Sequence, residues 1–62
     1  MSQTIEHWID GRYPIQVNLE DIEIAKILLQ EKKKMEVIKE FIANGFKPIY
    51  SIAVISEALR EG

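Results

Sequence analysis

The stretch 17-VNLEDIEIAKILLQEKKKMEVIKEFIANGF-46 decides the fold of this chain, because it holds a helix start, a helix stop and an apolar stripe between them. Asn18 is a good N-cap, since its side-chain oxygen can accept from the unpaired N–H groups of the first turn. Asp21 is placed to reach back as in a capping box, and Val17 and Ile22 to close a hydrophobic staple. Glu20, Asp21 and Glu23 put negative charge where the helix dipole favours it. At the far end, Gly45 can take a left-handed C′ conformation that brings Phe46 onto Phe41 in a Schellman motif. Lys47-Pro48 blocks direct continuation.

Between these caps, Ile24, Leu28, Met35, Ile38 and Ile42 recur at the spacing of one helical face. The polar run Gln30–Lys34 interrupts them without a Gly or Pro. Leu28 and Met35 are seven residues apart, so the register carries across the run. Gln, Glu and Lys are also good helix formers. The spacing therefore predicts one long helix over 19–43; the alternative is two helices with a loop at Gln30–Lys34.

On the N-terminal side, residues 4–17 read as a β-hairpin turning at Asp10-Gly11, because a type I′ turn needs positive φ at both central positions. A two-residue loop sets Trp8 opposite Tyr13, so that Trp8, Tyr13, Ile15 and Val17 share the apolar face. Pro14 cannot donate to the ladder and requires an outward edge position. On the C-terminal side, residues 48–61 form a second, shorter helix. Pro48 suits its first turn. Ile49, Ile52, Ala53 and Leu59 mark one side, widened by Tyr50, Val54 and Ala58. The expected fold is α+β in one small domain over 1–62: an N-terminal hairpin, a long amphipathic helix and a short C-terminal helix. A ribbon-helix-helix-like or mainly α arrangement is the alternative.

Apolar residues make up 47% of the 62-residue chain, enough to fold rather than stay disordered. A core this small rarely supplies more than about 3–5 kcal/mol. With no cysteine and His7 as the only histidine, neither a disulfide nor a histidine-rich zinc site within one chain can add to it. No metal or cofactor is expected. Ile22 and Leu29 lie nearly opposite the stripe, so the first half of the helix is apolar almost all round, the mark of a buried helix. Ile22, Ile24, Leu28, Leu29, Met35, Ile38 and Ile42 are therefore the candidate interface, toward a second copy of the chain or a protein target.

The net charge of −2 is not the footprint of a nucleic-acid binder. Six of the eight basic residues lie between Lys26 and Lys47, but Glu31 and Glu36 flank Lys32-Lys33-Lys34 at helix spacing and partly neutralise it. Arg12, Gln16 and Asn18 alternate with the inward residues of the second strand, and suit bidentate base contacts. From Arg12 to Asn44 the pattern resembles the ribbon-helix-helix repressors, whose paired strands present polar side chains to the major groove. That resemblance implies DNA contacts from Arg12, Gln16 and Asn18, supported by Lys32 and Lys33, and a loop at Gln30–Lys33. The chain departs from the pattern in Pro14, in its extra hairpin strand and last helix, and in its acidic charge. The helix after Asn44-Gly45 offers almost no base-reading donors, which disfavours a helix-turn-helix.

Ser51 and Ser56 have no base motif nearby, and Glu36 and Glu40 sit on an exposed helix face, so no catalytic residues are expected. No run reaches the roughly 20 apolar residues of a membrane span, and the N-terminus lacks a signal-peptide pattern. These features lead to the expectation of a non-catalytic, cytoplasmic, homodimeric interaction module. It would regulate or inhibit another protein.

Overall fold

The computed structural model describes residues 3–61. In chain order they form β1 (Thr4–Ile9), β2 (Tyr13–Asn18), α1 (Leu19–Leu29), α2 (Lys34–Ala43) and α3 (Pro48–Glu61). An antiparallel hairpin is followed by helices, as the α+β reading requires.

The hairpin turns where expected but in a different register. Asp10 and Gly11 both take positive φ, 55° and 66°, and the Arg12 N–H donates to the Ile9 carbonyl at 3.0 Å. Pairing then resumes one residue later, with Ile9 opposite Tyr13 and Trp8 opposite Pro14. Arg12 is thus an extra residue, as in a β-bulge. A slip of one residue moves a whole strand's side chains to the other face. Ile5, His7 and Ile9 consequently share the face of Tyr13, Ile15 and Val17. The expectation that Trp8 faces the core is overturned: it points outward beside Pro14 and is 55% exposed.

The single helix over 19–43 is also corrected, since the structure has two helices and a loop at Gln30–Lys33. The N–H groups of Glu31 and Lys32 both bond to the Leu28 carbonyl, closing α1. Lys33 is extended, with φ −76° and ψ 156°. A continuous helix over this range would be about 37 Å long at 1.5 Å per residue, against a greatest extent of 30 Å for the molecule. Breaking it lets α2 fold back and bury Val37, Ile38 and Phe41. That apolar burial outweighs the good helix propensity of the polar linker. Because α2 turns independently of α1, the stripe does not continue across the break. Of its five members only Ile38 is buried, Leu28 is half-buried, and Ile24, Met35 and Ile42 are exposed.

The caps form nearly as read. The Asn18 side chain accepts from the Glu20 N–H at 2.9 Å. Phe46 N–H donates to the Phe41 carbonyl and Gly45 N–H to the Ile42 carbonyl, which is the Schellman pattern. The rings of Phe41 and Phe46 lie 5.1 Å apart, and Phe46 stacks on Tyr50 at 5.7 Å.

The core gathers Val17 from β2, Ile22 and Ala25 from α1, Val37, Ile38 and Phe41 from α2, and Ala53, Val54, Ile55 and Ala58 from α3. The inward face of α3 is rotated from the expected one. Ser51, Ile55 and Glu57 are buried, while Ile49, Ile52 and Leu59 look outward. Ser51 is tolerated inside because its hydroxyl donates to the Lys47 carbonyl at 3.0 Å.

Candidate interaction surfaces

Two polar junctions fix the helices relative to the hairpin. Asp21 does not close the capping box directly. The Asn18 N–H donates to the Tyr50 hydroxyl at 3.0 Å, and that hydroxyl donates to Asp21 at 2.6 Å. Tyr50 of α3 is thus inserted between the two halves of the α1 cap. Burial, and then its bond to Asp21, push the Tyr50 phenol above its ordinary value, so it stays a neutral donor. At the second junction, His7 Nδ1 lies 2.6 Å from a Glu57 carboxylate oxygen. This bond ties β1 to α3 across the fold.

Apolar side chains are left exposed in two main places. The first is the outward face of α3. Ile49, Ile52 and Leu59 are each about half exposed, and the spacing 49, 52, 56, 59 puts them in one row with Ser56. Beside this row the hairpin tip forms a hollow with α3, lined by Trp8, Ile9, Asp10, Ile49 and Ile52 among others. The second is a groove between α1 and α2, lined by Ile24, Leu28, Phe41 and Phe46, with Asp21 and Glu40 contributing carboxylates. Among the described residues, Ile27 on α1 and Met35 on α2 are the most exposed large apolar ones, at 64% and 60%.

The interface residues read from the stripe are therefore divided. Ile22 and Ile38 lie in the core of the chain itself, and Leu28 and Leu29 are half-buried against it. Ile24, Met35 and Ile42 remain on the surface. The alternative DNA-contacting residues are also dispersed in role. Arg12 is exposed in the turn. Gln16 accepts from the Thr4 hydroxyl at 2.9 Å, and the Asn18 side chain is engaged in capping. Lys32 pairs with Glu40, a hydrogen bond that holds its ammonium above the ordinary lysine value. This replaces the Glu31–Lys34 and Lys33–Glu36 pairs expected on a continuous helix. Lys33 is exposed at the start of α2. The loop at Gln30–Lys33 is where a ribbon-helix-helix arrangement needs one, but β2 pairs with β1 of its own chain. In the repressors the strand pairs across a dimer.

Sequence reasoning missed Trp8, Ile49, Ile52 and Leu59 as surface residues, and Glu57 as the partner of His7. One signal was present: Glu57 is the only carboxylate in the apolar run from Ile49 to Leu59, and His7 the only histidine. Among the described residues no cluster of His, Cys, Asp or Glu is arranged to hold a metal ion. No helix among them is long and apolar enough to cross a membrane. Comparison of the chain with protein-family models, curated proteins and solved structures finds no match.

Proposed function

We propose that this chain is a non-catalytic protein-interaction module that works as a homodimer and binds a protein target through its remaining apolar surface. The observation that carries this reading is the outward face of α3. Its Ile49, Ile52 and Leu59 stay exposed although the core closes without them. An apolar row on the outside of a small fold marks an interaction site. The α1–α2 groove, lined by Ile24, Leu28, Phe41 and Phe46, offers a second face for a target carrying apolar side chains.

The test is the concentration dependence of thermal unfolding. A homodimer gains stability by mass action, so its melting temperature rises with protein concentration. A melting temperature that stays constant over a hundredfold dilution contradicts self-association. The second reading, a ribbon-helix-helix-like DNA-binding regulator, is favoured by the strand–helix–loop–helix order and by exposed Arg12 and Gln16. It requires a salt-dependent shift of mixed-sequence DNA that Arg12→Ala with Gln16→Ala abolishes.

A further inference from the structure

We infer that α3 pairs with α3 of a second copy in antiparallel orientation, with Ile49, Ile52, Ser56 and Leu59 forming the seam. This rests on the self-association proposed above and assigns its face and direction.

The spacing from 49 to 52, 56 and 59 runs three, four, three, which is the a-d-a-d pattern of a two-heptad coiled-coil seam. All four residues lie outside the buried set of α3. Antiparallel pairing is self-complementary: Ile49 packs on the partner's Leu59, and Ile52 on the partner's Ser56. Each large side chain near the middle then meets a small one. Parallel pairing would instead stack Ser56 on Ser56 and Ile52 on Ile52, so that small meets small and large meets large. Antiparallel packing also opposes the two helix dipoles favourably.

Charge complementarity supports the same direction. Asp10 lines the hollow beside Ile49 and Ile52, near the start of α3. Among the described residues it has no ion-pair partner. Arg60 lies near the end of α3 and is 80% exposed, 3.6 Å from Glu57, which faces the hairpin through His7. Arg60 and the hairpin are thus on the same flank of the row. In an antiparallel pair these flanks meet, and the partner's Arg60 comes level with the start of α3. Asp10 of each copy then faces Arg60 of the other, twice by symmetry. A parallel pair would set Arg60 at the opposite end from Asp10.

The test measures the dimer dissociation constant by dilution, for wild type and for variants at exposed positions. Ile52→Glu should weaken the dimer by at least about a hundredfold, since it removes two central contacts and buries two charges. Ile24→Glu, in the α1–α2 groove, should leave the constant unchanged. Asp10→Asn keeps a residue that tolerates positive φ. It and Arg60→Gln should each weaken the dimer by about fivefold. The double variant should be no weaker than either single, because both changes remove the same contact. A dimer unaffected by Ile52→Glu overturns the seam while leaving self-association standing. Losses that multiply in the Asp10→Asn, Arg60→Gln double variant overturn the antiparallel direction. A wild type that stays monomeric at every concentration overturns both this inference and the reading beneath it.

Discussion

Gly45 sits at φ 99°, with nothing within 4 Å of where a side chain would begin. Alanine there meets no clash, so its cost is that of the backbone alone, about 1–2 kcal/mol for an L-residue forced into left-handed geometry. Gly45→Ala should therefore lower stability by that amount in a denaturant titration, without altering assembly. Trp8→Ala should cost about 1 kcal/mol of monomer stability, less than a core truncation, because its ring is 55% exposed. It should also weaken assembly, because Trp8 lines the hollow beside Ile49 and Ile52. These two residues show what a sequence reveals at this scale. Gly45 was legible because a helix stop depends on near neighbours. Trp8 was not, because its face depends on the loop residue count, and Arg12 joining the loop reversed all of β1. The His7–Glu57 contact was illegible for a related reason, since it joins residues fifty positions apart.

The elements are held together by side chains that act between them, and Tyr50 is the clearest case. Its hydroxyl links α3 to both the cap and the first turn of α1. Tyr50→Phe removes both bonds and leaves the partly buried Asn18 N–H without its acceptor. It should cost about 1–3 kcal/mol by chemical denaturation. The same bond makes stability depend on alkaline pH. The folded phenol titrates above its ordinary value of 10.0, so its stabilising contribution is complete below that value. It is lost as pH rises through the folded value, because the folded state then holds a proton that the unfolded state has released. Melting temperature should thus fall more steeply above about pH 10 in wild type than in Tyr50→Phe. Equal slopes would remove Tyr50 from the account. Helix ends were legible at Asn18, Gly45 and Pro48, each set by local chemistry. The break at Gln30–Lys33 was not, because Glu and Lys favour a helix locally. Only the burial of Val37, Ile38 and Phe41 against the rest of the fold decides against it.

At the scale of the whole molecule, the chain covers most of its apolar surface by folding back on itself. Folding back at the loop places Ile38 inside and leaves Ile24, Met35 and Ile42 on separate faces of two helices. The exposed row that remains continuous is on α3: of the side expected to pack, Ala53, Val54 and Ala58 are buried, and Ile49, Ile52 and Leu59 face outward. Both sides of α3 carry apolar residues, so the sequence alone could not orient it; packing of Val54 and Ile55 into the core does. The central claim is that this outward row joins two copies. Sedimentation equilibrium of the wild-type chain, from low to high micromolar concentration, tests it most directly. The account predicts an average mass that rises from that of one chain to that of two, and a mass fixed at one chain throughout would contradict it.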